Sequence, residues 1–226
     1  MATGRIKAVL AAAFVCILFL APHAAAEADA TESVVIADFE GWPDNLGGDI
    51  GVYGSLEPAW DMMETVPYSW VYEPKTPGYT TENVHDGNKS FRLVTGTGTK
   101  PKESWGSFAM DMGPTVDIKV VPKKVKSFDA SGFRYITFWL KGARGGEKMK
   151  VIMRDSHALD YMPQYKSPSA ITATTEWQKI VIPLSRVGKS IDLKSIDNLG
   201  IAFGMDEGNR RGSTIYVDTF MFSVSK

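Results

Sequence analysis

Cysteine is all but missing from this chain of 226 residues: Cys16 stands alone. It lies inside an apolar run at residues 8–21, behind Arg5 and Lys7 and ahead of Ala24-Ala25-Ala26, a pattern that reads as a secretory signal peptide over residues 1–26. The run is too short and too lopsided for a bilayer span, so no membrane anchor is expected. An exported protein, periplasmic or extracellular, therefore begins at Glu27 without a thiol. Disulfides are excluded, and a metal becomes a candidate for holding its loops.

Other shortages exclude whole classes of chemistry. Beyond residue 26 only His85 and His157 remain, with no HxxxH spacing, which removes a zinc site of the usual ligand type. Neither charge sign dominates: 23 basic residues face 26 acidic ones in the mature part, a net −3 that offers no field to nucleic acid or an anionic membrane. No Gly-x-Ser-x-Gly elbow is present, and Gly47-Gly48 and Gly145-Gly146 precede strands rather than helices, the wrong context for cradling phosphate. Acidic residues abundant enough to pair as a glycosidase dyad are not evidence of one. Nothing here supports an enzyme.

What is abundant is punctuation and aromatic surface: 21 Gly, 12 Pro, 6 Trp, 8 Tyr and 11 Phe. Short alternating runs between Gly, Pro and Asp turns predict strands at residues 34–39, 50–55, 69–73, 90–94, 105–112, 134–141, 148–155, 177–184, 199–203 and 214–224. No helical crossovers separate them, so the sheets should be antiparallel, and residues 27–226 should form one two-sheet β-sandwich of jelly-roll type. Residues 42–83 break the rhythm with five prolines and with Tyr53, Trp60, Tyr68, Trp70, Tyr72 and Tyr79, an ordered loop region beside a functional face.

Two groups of residues point to binding. Asp38 and Glu40 close the first strand, Asp86 sits in a Gly turn and Asp218 interrupts an apolar run. Hard cations such as calcium gather such oxygens from distant segments; the other reading is that each carboxylate caps a turn or faces solvent. In the second group, alternation turns Thr137 and Trp139 away from the core on one strand and Lys150 and Arg154 on the next, leading into Asp155, His157 and Tyr161. Sugars stack on aromatic rings while forked polar groups read their hydroxyls, so Trp139 or Tyr161 would be the platform and Arg154, Asp155 and His157 the hydrogen-bonding groups. The competing readings are a core role for Trp139 and a surface ion pair for Arg154 and Asp155. Trp177 reads as core.

Ala37-Asp38-Phe39-Glu40-Gly41, Asn45-Leu46-Gly47-Gly48, Asp86-Gly87-Asn88-Lys89-Ser90-Phe91, Ile136-Thr137-Phe138-Trp139-Leu140-Lys141-Gly142, residues 176–184 and Ile215-Tyr216-Val217-Asp218 form an ordered series. The series resembles the galactose-binding-like β-sandwich superfamily, especially carbohydrate-binding modules near family 11 and the complex I intermediate-associated protein domain. The resemblance implies a jelly roll with a concave sheet that binds polysaccharide or oligosaccharide, and a structural calcium near the joined terminal strands, with Asp38 or Glu40 and Asp218 at positions that commonly supply ligands. It also leaves open an envelope protein-interaction or assembly role through the 60–79 loop. A lyase or hydrolase would require His157 and Tyr161 to converge in an open cleft.

Overall fold

The structure is a computed structural model that describes residues 32–41, 44–57, 78–96, 102, 104–117 and 124–226. The expected signal peptide, the candidate strand at 69–73 and Trp60, Tyr68, Trp70 and Tyr72 lie outside the described residues.

Strands follow one another along the chain as β1 (Ser33–Ala37), β2 (Ile50–Gly54), β3 (Leu56–Glu57), β4 (Tyr79–Thr80), β5 (Ser90–Thr95), β6 (Gly106–Asp111), β7 (Thr115–Asp117) and β8 (Lys124–Val125). The second half holds β9 (Tyr135–Gly142), β10 (Lys148–Asp155), β11 (Tyr165–Lys166), β12 (Ile171–Thr172), β13 (Gln178–Pro183), β14 (Ile196–Ala202) and β15 (Thr214–Ser223). The one α-helix among the described residues is the single turn α1 (Leu184–Val187). β10 spans the run expected from alternation, and β5, β6, β9, β13 and β15 fall within a residue or two of theirs; β14 starts earlier, at Ile196.

Among the described residues every pairing is antiparallel, and two sheets pack as a sandwich. The seven-stranded sheet runs β13-β9-β15-β5-β3, with β1 beside β15 and β4 beside β5. The six-stranded sheet runs β11-β10-β14-β6-β2, with β12 beside β10. Alternation decides what each face carries. On β9, Ile136, Phe138 and Leu140 are fully buried in the core, while on β10 Met149, Val151 and Met153 play that part. Phe91 of β5 meets Phe108 of β6 across the sandwich at 4.8 Å between ring centroids, and Phe138 stacks on Phe220 at 4.4 Å. Each such side chain contributes about 1.5–3 kcal/mol by leaving water.

Two bulges re-aim polar side chains. The β15 to β9 register shifts between Asp218 and Met221, where Thr219 takes a left-handed backbone (φ 43). The β10 to β14 register shifts at Arg154 and Asp155, which pair with Asn198 and Ile196. Asp197 is the extra residue, and its carboxylate turns to Arg154.

The consecutive strands β9 and β10 thus belong to different sheets. Trp139 and Arg154, which the sequence reading grouped on one surface, lie on opposite outer faces of the sandwich.

Candidate functional site

The outer face of the six-stranded sheet has a floor of small side chains. One row across the strands places Gly51, Ala109, Gly200 and Ile152 side by side; the next holds Tyr53, Ser107, Ala202 and Lys150. Two aromatic rings border this floor at the β2 edge, and glycines make room for both. A Cβ on Gly51 would lie 2.8 Å from Cε2 of Tyr53, so the tyrosine ring is laid along its own strand. A Cβ on Gly54 (φ +70) would lie 2.7 Å from Cε3 of Trp105, whose indole is 44% exposed.

At the β10 edge the border is charged. The Lys150 and Lys166 ammoniums converge on Glu207, a carboxylate buried beneath them. Arg154 donates from Nε to Asp197 Oδ1 at 3.0 Å and from Nη2 to Oδ2 at 3.2 Å, with both residues buried. Its guanidinium carbon lies 5.7 Å from the centroid of the Tyr161 ring, which stands half in solvent. In the same row the Asn198 amide donates to Asp111 Oδ1. With strands about 4.8 Å apart, some 14 Å separates β2 from β10. Small residues between taller side chains make a trough across the sheet.

Of the sugar-contacting residues expected from sequence, the structure brings Arg154, Asp155, His157 and Tyr161 together and leaves Trp139 out. Tyr161 and His157 are exposed, whereas Asp155, like Arg154, is buried. Asp155 Oδ2 accepts the Asp192 N–H, and Oδ1 accepts the His157 N–H and the Gln164 amide. Burial pushes this carboxyl upward, but those donated bonds and His157 hold it below its usual range. Arg154 and Asp155, expected to bond a ligand, both make hydrogen bonds within the chain. Trp139 is half-buried beneath His85, ring on ring at 3.6 Å. Trp177, expected in the core, instead packs edge-on against His85.

The carbohydrate-binding domain 30 profile matches residues 59–224. The chain belongs to that family. As a family 30 chain it is a non-catalytic binding module rather than an enzyme. It is similar to a crystal structure of a family 30 carbohydrate-binding module, with 20% identity, 86% of this chain and 89% of that one covered, and a TM-score of 0.54. It is likewise similar to the family 30 module of a cellulosomal cellulase of Clostridium thermocellum, with 20% identity, coverage of 86% and 99%, and a TM-score of 0.53. A family 11 module from a cellulosomal cellulase of the same organism gives 16% identity, coverage of 85% and 95%, and a TM-score of 0.48. No curated protein matches the chain.

In this family 30 chain the three carboxylates expected to hold calcium all accept hydrogen bonds from the chain itself. Glu40 Oε1 accepts the backbone N–H groups of Asn88 at 2.6 Å and Lys89 at 2.9 Å, which hold its carboxyl below the usual range. Asp218 Oδ2 accepts the N–H groups of His85 and Asp86, and Oδ1 accepts the Thr219 hydroxyl. Burial nevertheless raises the Asp218 carboxyl. Asp38 receives the Glu40 N–H and the Asn45 amide. A cation needs oxygens turned toward it, and here N–H and O–H donors of the chain take up part of each carboxylate's accepting capacity. Among the described residues no three acidic, His or Cys side chains are grouped to hold a metal. The Lys89 ammonium donates to the Glu40 carbonyl oxygen at 2.9 Å. Together these bonds join the turn before β5 to the ends of β1 and β15.

His157, Asp155 and Ser195 are also close, but both contacts involve the same ring nitrogen, Nδ1, at 3.5 Å from Asp155 and 3.4 Å from Ser195. A relay needs the two nitrogens to face opposite partners, so this is no nucleophile-activating triad. Neither Trp105 nor Tyr53 was among the binding residues expected from sequence. The visible signal was Gly51 and Gly54 on either side of Tyr53, and Gly106 beside Trp105.

Proposed function

We propose that this chain is an exported glycan-binding module whose ligand lies across the outer face of the six-stranded sheet. The carrying observation is the floor of Gly51, Ala109, Gly200 and Ala202 between the aromatic border of Tyr53 and Trp105 and the polar border headed by Tyr161. Each feature has a use in holding a saccharide. A flat floor admits a ring, exposed aromatic faces stack on C–H surfaces, and lysine, carboxylate and amide groups bond hydroxyls. The apposed charges on this face, lysines with Glu207 and Arg154 with Asp197, favour a neutral sugar over an anionic one.

Native affinity electrophoresis against hydroxyethylcellulose, mixed-linkage β-glucan, xylan and galactomannan tests the reading. Retardation by at least one polymer, reduced at least tenfold in the Tyr53→Ala, Trp105→Ala double variant, is the expected result. Migration unaffected by every polymer would sink it. The protein-contact alternative rests on the 60–79 loop, most of which lies outside the described residues.

A further inference from the structure

Residues 156–163 leave β10 and return to β11 as a loop whose tip is apolar and exposed: Leu159 is 92% exposed, Met162 69% and Tyr161 52%. Such a cluster in solvent ordinarily marks a contact surface. Its anchorage is unusually dense. The Asp155 N–H donates to Gln164 Oε1 at 2.7 Å while the Gln164 amide donates back to Asp155 Oδ1 at 3.1 Å, which ties the two roots together. The Ser156 N–H donates to the Ser195 carbonyl, and the Met162 N–H to Asp160 Oδ1. Above the roots, Arg154 uses Nη1 on the Asp160 carbonyl at 3.5 Å and its face on Tyr161, while its other edge is locked in the fork of Asp197.

A buried ion pair is weak evidence for stability, because desolvating both charges offsets most of their attraction. This pair nonetheless sits at the root of a solvent-exposed apolar tip, where its geometric effect is to fix the tip. We infer that Arg154, held by Asp197, is a positioning residue for glycan recognition: it sets the Tyr161 loop in its ligand-bearing conformation and makes no contact with the sugar itself. The inference rests on the glycan-binding reading and adds to it the residue that orders one border of the trough. Ordering a contact before the ligand arrives raises affinity by removing a cost of binding.

A double-mutant cycle separates the roles. Titration calorimetry with the most strongly retarding polymer of the panel is applied to the full-length mature protein and to Tyr161→Ala, Arg154→Gln, Asp197→Asn and Arg154→Gln with Tyr161→Ala. Tyr161→Ala should weaken binding about tenfold, the roughly 1.4 kcal/mol expected of one aromatic contact. Arg154→Gln and Asp197→Asn should approach that loss, and the double variant should bind no more weakly than Tyr161→Ala. Hydrogen exchange at the Met162 and Ala158 amides should accelerate in Arg154→Gln and Asp197→Asn, a change that loss of a sugar contact would not produce. Losses that multiply in the double variant would mean that Arg154 touches the sugar and would overturn the inference. So would unchanged affinity in Tyr161→Ala while the wild type binds; a wild type that binds no polymer overturns the glycan reading instead. Should Arg154→Gln fail to fold, Gln164→Ala loosens the same loop from its other root, and affinity unchanged there also counts against the inference.

Discussion

On the seven-stranded sheet an outward aromatic, Trp139, lies under His85, and the turn carrying that histidine is fastened by Asp218 and Glu40. On the six-stranded sheet the outward aromatics, Tyr53 and Trp105, lie against glycines and keep part of their surface in water. Alternation turned all three away from the core by the same rule. What differs among the described residues is their surroundings: a closed turn on one sheet, and on the other a trough floored by Gly and Ala.

The largest effects come from exchanging damage between the two faces. Tyr53→Ala with Trp105→Ala should lower glycan affinity tenfold or more while shifting the melting temperature by only a few degrees. Trp139→Ala should do the reverse, leaving affinity within twofold and costing about 2 kcal/mol of stability through the lost stack. Calorimetric titration and thermal unfolding on the same samples decide this. Loss of binding in Trp139→Ala would return the ligand to the seven-stranded face.

The sheets were legible because each strand is a short alternating run bounded by turn residues, as in Ile136, Phe138 and Leu140 against Thr137 and Trp139. Which sheet each strand joins was not, because β9 and β10 are separated by a tight Gly145-Gly146 turn that reads as a hairpin connection, whereas here the chain crosses to the other sheet. Tyr161 was legible as a polar-aromatic residue near the site. For Arg154 and Asp155 the internal partners were not legible, because a forked donor and a carboxylate have the same sequence appearance whether they face a ligand or the chain's own groups. The bulge that brings Asp197 to Arg154 has no local signature in Ile196-Asp197-Asn198.

A smaller effect concerns the root of the β2 strand, behind the Tyr53 border. Asp44 is buried, its Oδ1 accepting the Leu46 and Gly48 N–H groups, and burial with Asp111 and Asp49 nearby pushes its carboxyl from 3.8 up to about 7. The folded protein therefore keeps a proton that the unfolded chain releases between those values. Its stabilising contribution is complete below about pH 4 and is lost as pH rises through 7. Asp218, also raised by burial, adds a slope of the same sign on the opposite face. Asp44→Asn keeps the Oδ1 acceptor and should be the more stable protein at pH 8 by about 1–2 kcal/mol, with a shallower decline from pH 5 to 8 in urea unfolding. An unchanged slope would show that Asp44 ionises normally.

The smallest effect concerns the fastening on the closed face. A ligand that binds only the native state raises stability, so a structural calcium would announce itself as a melting temperature that falls in chelator. Glu40 and Asp218 already accept four backbone N–H groups between them, and the Lys89 ammonium rests on the Glu40 carbonyl, so excess EDTA should leave the melting temperature unmoved. Lys89→Met, which keeps a side chain of similar length but removes the charged donor and its approach to the Tyr79 ring, should cost about 1 kcal/mol, the worth of one hydrogen bond from a charged group at a half-buried site. Added calcium should not restore it, because the oxygens a cation would need remain turned to the turn's own N–H groups. A drop in chelator, or rescue of Lys89→Met by calcium, would mean that these carboxylates can release the turn and take up an ion, and the closed face would then owe its closure to metal rather than to the chain.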